Sequence, residues 1–271
     1  MDSIKQAVEL AKAAETAPQH GAAATGLASD GVSSIASDAQ PRHVHLSATR
    51  LESSRIVAHD GSGEHGRYYD MLRTQVLQEM DKRSWQFLAI TSPTPACGKT
   101  VTACNLAMSI ARLPERSVLL VDLDLRKPMI SDYLGLGKSS GVLGILEANA
   151  ALRETVVQAK IGTTDLLVLP GSAASSRSSE WMASQRMNSL LQAIKRDFRS
   201  RIVIFDLPPL LLGDDVISIL PRMDTVLLVA GAGSSTLTDI RECQKHLQRT
   251  PVVRVVVNKV ASSVDSYYAY Y

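Results

Sequence analysis

The sequence predicts an α/β chain built on a doubly wound, mostly parallel sheet, and three observations carry that expectation. Apolar runs rich in Val, Ile and Leu alternate with stretches of helical periodicity between Phe87 and Asn258. That is the pattern of strands buried on both faces by crossover helices. Residues 86–111 read QFLAITSPTPACGKTVTACNLAMSIA: an apolar strand, a Pro-containing loop ending Gly98-Lys99-Thr100, and a run of helix formers. The apolar runs 117–121 and 202–205 each deliver an aspartate, Asp122 and Asp206, at the strand end where ligands bind in doubly wound sheets.

The chain has 271 residues, enough for one such core with a short appended arm. Its 29 basic and 27 acidic side chains leave a formal net charge of +2, so bulk charge gives no support for nucleic-acid binding. Three cysteines, Cys97, Cys104 and Cys243, are too few and too scattered for a disulfide framework or a zinc site. A reducing cytosol is expected. No apolar run approaches the ~18 residues of a membrane span, and no signal peptide opens the chain. The expectation is a soluble, cytoplasmic protein.

Taken in order, residues 1–16 hold a short amphipathic helix with Ile4, Ala7, Val8 and Ala11 on one side. It is either a frayed terminus or a docking helix. Residues 17–42, mostly small and polar, read as a flexible linker. Residues 43–83 form an arm over the core followed by a helix at 68–83, with Met71, Leu72, Gln75, Val76 and Met80 along one side. Residues 84–260 form the main domain and 261–271 a tail. Within the domain the pattern gives strands at 117–121, 165–169, 202–205, 225–230 and 252–257. Helices fall at 139–151, 152–160, 180–198, 216–220 and 236–248.

The loop explains the chemistry. Backbone N–H groups from Pro95 to Thr100, proline excepted, can curl around a phosphate at a helix N-terminus. Lys99 reaches the β and γ phosphates and the Thr100 hydroxyl ligates Mg²⁺. A full motif has glycine at position 93, where this chain has Pro93. The plain alternative is a Gly-Lys pair at an ordinary helix start. Asp122 and Asp124, two residues apart, share a metal or pair a base with it if the backbone stays extended. Their plain alternative is a helix-capping aspartate beside a solvated one. Four apolar residues closed by Asp206 give the form of a carboxylate aimed at Mg²⁺. Four of the seven tyrosines, Tyr267, Tyr268, Tyr270 and Tyr271, lie in the last five residues. They are either an aromatic end packed on the protein's own surface or phenols placed for modification.

The phosphate loop, LLVDLDLR, IVIFDLPP and the tyrosine cluster, in this order, resemble the bacterial tyrosine kinases of exopolysaccharide systems, in their stand-alone cytoplasmic form. The resemblance spans residues 55–271 and implies a P-loop NTPase fold with Walker A, A′ and B motifs. It further implies ATP phosphates held by Pro95, Ala96, Cys97, Gly98, Lys99, Thr100 and Val101, with Asn258 near the adenine. Mg²⁺ is implied on Thr100, Asp122 and Asp206, and Asp124 beside the incoming phenol, with Lys99, Asp122 and Asp124 as the catalytic set. Tyr267, Tyr268, Tyr270 and Tyr271 match the acceptor cluster. A membrane co-polymerase is the implied activator, which would hold the chain at the inner face of the membrane.

Three positions depart from the family pattern. Ala96 replaces a loop glycine, and a positive φ there costs a Cβ-bearing residue roughly 1–2 kcal/mol. Cys97 puts a thiol at a helix N-terminus, which favours thiolate. The self-association motif Glu-x-x-Arg-x-x-Arg is matched by Arg67, Asp70 and Arg73, with the first two charges exchanged. Two rivals share the fold. One is an ATP-switched partition-type ATPase, against which Thr94 stands where those carry a second loop lysine. The other is a scaffold weakened by Ala96.

Overall fold

The strands are β1 Arg42–His45, β2 Phe87–Thr91, β3 Val118–Asp122, β4 Val157–Ile161, β5 Thr164–Leu169, β6 Ile202–Asp206, β7 Thr225–Gly231 and β8 Val252–Asn258, and near-continuous apolar runs form β2, β3, β6 and β7. In the computed structural model these make one sheet in the order β1-β4-β5-β3-β6-β2-β7-β8. Every pairing is parallel except β4 with β5. The structure describes residues 41–260 apart from Ser62 and Ser200. The expected helix at 1–16, the linker up to residue 40 and the tyrosine tail lie outside the described residues.

The helices are α1 Ala48–Ser53, α2 Glu64–Arg83, α3 Lys99–Ala111, α4 Ile130–Leu134, α5 Gly141–Leu146, α6 Leu152–Thr155, α7 Ser178–Ala183, α8 Gln185–Asp197, α9 Asp215–Ile219 and α10 Leu237–His246. Every residue of β2, β3, β6 and β7 is buried, which requires apolar cover on both faces. Alternation along β2 shows the two covers. Leu88 and Ile90 face one core with Leu51, Ile56, Val76, Met80, Leu106 and Ile130 from α1 to α4 and their connections. Phe87 and Ala89 face the other, with Val142, Met187, Leu190, Ile194 and Val216.

Four expectations need correction. Residues 152–160 are not one helix: after α6 the chain turns into β4, where Val157 and Ala159 are buried in period-two alternation. A turn with Gly162 at φ 54 then closes a hairpin onto β5. The arm does not merely lie over the core. Arg42–His45 pairs with β4 as an edge strand, so the linker boundary expected at 42 falls inside a strand. The long helix at 180–198 is two helices, because Ser184 accepts from the Met187 N–H and caps α8. The helix at 139–151 is confined to Gly141–Leu146. On α2 the buried side holds Val76, Leu77 and Met80, while Met71, expected on that side, is 56% exposed.

One buried polar residue fastens the arm to the domain. Asn105 on α3 is fully buried, and its Oδ1 accepts from the backbone N–H groups of Val57 (2.8 Å) and Ala58 (2.9 Å). Its Nδ2 donates to the carbonyls of Arg55 (2.9 Å) and Val101 (2.8 Å). All four positions of the amide are used. Replacing Asn105 by Ala orphans two buried N–H groups at about 1–3 kcal/mol each. The expected result is a lower urea midpoint with an unchanged slope; an unchanged midpoint would show that the clamp is not needed to hold the arm.

Candidate active site

The loop between β2 and α3 is tied down before any ligand enters. Ser92 Oγ donates to the Thr94 carbonyl at 2.8 Å, and the N–H groups of Leu210 and Leu211 donate to the Ser92 and Pro93 carbonyls. Ala96 sits at φ 62, in the left-handed region. Gly98 sits at φ 92, where a Cβ would meet Asn258 Nδ2 at 2.1 Å. That contact exists because Asn258, at the end of β8, donates to the Cys97 carbonyl at 3.0 Å. Asn258 thus holds the loop's shape, whatever else it meets.

The carboxylates come together through strand register. Asp122 of β3 is the pairing partner of Asp206 of β6, and both are fully buried. Thr100 Oγ1 donates to Asp206 Oδ2 at 2.6 Å. Lys99 Nζ lies 2.7 Å from Asp124 Oδ2 and 3.5 Å from Asp206 Oδ1. Burial opposes the charge on Lys99, but Asp206 and Asp124 outweigh it and raise its pKa. Burial, with Asp206 next to it, pushes Asp122 up to about 8. Burial likewise raises Asp206, against the pull of Lys99 and Thr100.

Of the plain alternative for Asp122 and Asp124, the capping half is met and the solvated half is not. Asp122 Oδ2 accepts from the N–H groups of Met129 and Ile130 at 3.1 and 3.0 Å, so it does cap α4. Asp124 is not solvated: it is 4% exposed and holds Lys99. The backbone does not stay extended past Asp122, since the Asp124 N–H turns back to Asp122 Oδ1 at 3.2 Å. Gly171, after β5, is required here, because a Cβ would lie 2.3 Å from Pro128 and 3.0 Å from the Asp122 carboxyl.

A hard divalent cation fits this donor set. Thr100, Asp122 and Asp206 offer only oxygen, and the two adjacent buried carboxylates, with Lys99 on the Asp206 and Asp124 side alone, favour a second positive charge. Among the described residues no group of three or more His, Cys, Asp or Glu is arranged to hold a metal alone. The remaining ligands would be phosphate and water, as Mg²⁺ prefers.

The site opens into a cavity of about 600 Å³ lined by Pro95, Ala96, Gly98, Lys99, Thr100, Val101 and Asp124, and by residues that sequence reasoning missed. Arg126 is one. Its guanidinium reaches Asp215 Oδ2 at 2.5 Å, and Asp215, buried on α9, also accepts from Ser178. Burial opposes the Asp215 charge, but Arg126 and Ser178 hold its pKa below the usual carboxylate range. The partners lie 89 positions apart, so spacing could not reveal them. Cys97 is the reverse case. Its thiol is fully buried beside Ser235 Oγ (3.3 Å) and the Thr94 carbonyl (3.2 Å). Burial opposes the thiolate, yet the hydrogen bonds with Ser235 and Thr94 lower its pKa. Reagents have no direct approach to it.

A family model described as the CobQ/CobB/MinD/ParA nucleotide binding domain matches residues 88–270. The chain belongs to this nucleotide-binding family. EpsB of Ralstonia nicotianae, described as a putative tyrosine-protein kinase, is 33% identical over 187 residues, covering 69% of this chain and 24% of EpsB. The chain therefore spans about a quarter of that relative's length. CpsD of Streptococcus pneumoniae, described as a tyrosine-protein kinase, is 28% identical over 203 residues, 74% of this chain and 86% of its own. The kinase domain of the Escherichia coli tyrosine kinase ETK aligns with a TM-score of 0.60 at 26% identity, covering 69% of this chain and 72% of that one. Within the P-loop NTPase fold of the CobQ/CobB/MinD/ParA family, the chain groups with the bacterial tyrosine kinases.

Of the three residues matching the family's self-association motif, Arg67 is exposed. Asp70 and Arg73 are engaged within the chain: Asp70 meets Arg73 at 3.0 Å, Arg112 at 3.2 Å and Ser109 Oγ at 2.5 Å. Among the described residues no helix is long and apolar enough to cross a membrane.

The strain at Ala96 is open to measurement. Ala96→Gly relieves about 1–2 kcal/mol of left-handed strain and returns about 0.4–1 kcal/mol through the unfolded chain. The thermal midpoint should rise by a degree or more; a fall would show that the loop gains from the methyl group.

Proposed function

We propose that the chain is an ATP- and Mg²⁺-dependent protein-tyrosine autokinase whose acceptors are Tyr267, Tyr268, Tyr270 and Tyr271. The observation that carries this reading is the 2.7 Å contact of Lys99 with Asp124. It joins the loop lysine to a buried carboxylate at the mouth of a nucleotide site, in a chain grouped with tyrosine kinases.

The backbone N–H groups of residues 96–100 bind the phosphates, and Lys99 turns from Asp124 to the β and γ oxygens. That turn leaves Asp124 an unpaired carboxylate in a nearly dry site. A phenol with pKa ≈ 10 stays protonated at neutral pH, so it needs an acceptor for its proton. Asp124 Oδ2 takes that proton as the phenolic oxygen bonds to the γ-phosphorus. The bond from phosphorus to the bridging oxygen breaks, and its electron pair leaves on ADP. Mg²⁺, when held by Thr100, Asp122 and Asp206, would neutralise charge on the phosphate oxygens. Asp122 also fixes the turn to α4, and Thr100 orients Asp206.

The biological setting rests on the sequence resemblance. It is the regulation of exopolysaccharide polymerisation or export from the cytoplasmic face of the membrane, through a membrane co-polymerase as activator. Self-association belongs to the same proposal, with Asp70 and Arg73 turned inward.

Lys99→Met removes the charge that the phosphates and Asp124 share. Incubated with Mg²⁺-ATP and candidate co-polymerase cytoplasmic segments, the native chain should gain phosphate on residues 267–271, read by mass spectrometry. The variant should stay unmodified while keeping its circular dichroism spectrum. ATP hydrolysis with an unmodified tail would favour the partition-type switch, and no turnover with any activator would favour the scaffold.

A further inference from the structure

The cavity that holds the proposed chemistry carries more positive charge than that chemistry uses. Its lining includes Arg55, Lys99, Arg126, Lys127 and Lys259, against Asp124 as the acid. Lys99 is paired with Asp124 and Arg126 with Asp215. Arg55, Lys127 and Lys259 have no ion pair among the described residues, and all three are exposed. The nucleotide's own partners, the loop amides and the 11%-exposed Lys99, form the floor. These three cations stand on the rim.

The rim is held firmly, and part of it lies upstream of the matched domain. Arg55 precedes residue 88, where the family match begins. Its backbone is fixed at φ 61, a region costly for a non-glycine residue, and Lys259 is likewise at φ 61. Asn105 clamps the Arg55 carbonyl and the N–H groups of Val57 and Ala58. On the other side Arg50 of α1 donates to the Asp132 carbonyl of α4 at 2.6 Å. Arg55 is thus set on an arm anchored to both helices that flank Asp124, and Lys127 belongs to the turn that follows Asp124.

We propose that this rim, chiefly Arg55 and Lys127, binds a phosphotyrosine already present in the acceptor segment while a neighbouring phenol reaches Asp124. The proposal rests on the kinase reading above. A phosphotyrosine carries about −1.5 to −2 charge and three strong acceptor oxygens, which a guanidinium fork takes in two parallel hydrogen bonds. Unmodified residues 261–271 offer Asp265 as their acidic side chain. The first phosphate therefore changes what the rim can hold. Because Tyr267, Tyr268, Tyr270 and Tyr271 are so closely spaced, the first modified residue has an unmodified one within two positions whichever it is. The consequence is an ordered reaction in which the first transfer is slow and later ones on the same tail are faster.

The direct test is binding, which does not depend on turnover. Fluorescein-labelled peptides of residues 261–271, unmodified and phosphorylated at Tyr270, are titrated with the full chain in Mg²⁺-ADP and followed by anisotropy. The phosphopeptide should bind about tenfold more tightly, and the advantage should shrink as salt is raised. It should vanish in an Arg55→Gln, Lys127→Gln double variant that retains its circular dichroism spectrum and its ADP affinity. Equal affinity for the two peptides overturns the proposal. So does a double variant that loses ADP affinity, since the rim would then serve the nucleotide. If the kinase reading alone fails, the chain makes no phosphotyrosine, yet the two peptides still separate or do not on their own terms.

Discussion

Two buried carboxylates at neighbouring strand tips are the constraint on which the rest of this site depends. The register of β3 against β6 sets Asp122 beside Asp206, and both are fully buried. Like charges so placed repel, and each costs several kcal/mol to desolvate. The fold meets that cost with directed donors. Asp122 takes two N–H groups from the start of α4, and Asp206 takes the Thr100 hydroxyl. Lys99 stands between Asp206 and Asp124. Loop, strand tips and α4 are therefore one electrostatic unit, and a cation or a phosphate entering it redistributes charge that is already present.

That unit was legible in the sequence because its members are local. Lys99 and Thr100 follow a strand, Asp122 and Asp206 end strands, and apolar runs announce strands buried on both faces. What stayed hidden depends on residues far apart or on single polar atoms. β4 was missed because Leu152–Thr155 is truly helical and only alternation after Val156 signals a strand. The break at Ser184 turns on one side-chain oxygen inside an otherwise helical run. Arg126 with Asp215, and Asn105 with residues 55–58, are pairings that no periodicity encodes. The strand at Arg42–His45 is stranger still by pattern: its residues are largely exposed, so edge pairing with β4 rather than burial defines it.

The departures from the family pattern take on different meanings once placed. At Ala96 the φ of 62 confirms that the loop requires the left-handed conformation, so the missing glycine is a real strain. The Cys97 thiol lies against Ser235 Oγ and the Thr94 carbonyl, and although burial opposes the thiolate, the hydrogen bonds with Ser235 and Thr94 lower its pKa. Asp70 is drawn into Arg73, Arg112 and Ser109, which makes it an internal strut between α2 and α3. A charge exchange that reads as a change of interface in the sequence is, in the structure, first a change in how two helices are joined.

The same helix makes the upstream arm part of the active site. Lys99 and Thr100 open α3, and Asn105 stands less than two turns further along it. The Asn105 side chain on that helix holds the Arg55 carbonyl and the N–H groups of Val57 and Ala58. Arg55 lies at the far end of that clamp, beside the cavity that Asp124 also lines. The loop lysine and Arg55 thus line one cavity from two segments that meet on α3. The domain that the family defines ends short of a segment that its own phosphate helix holds in place.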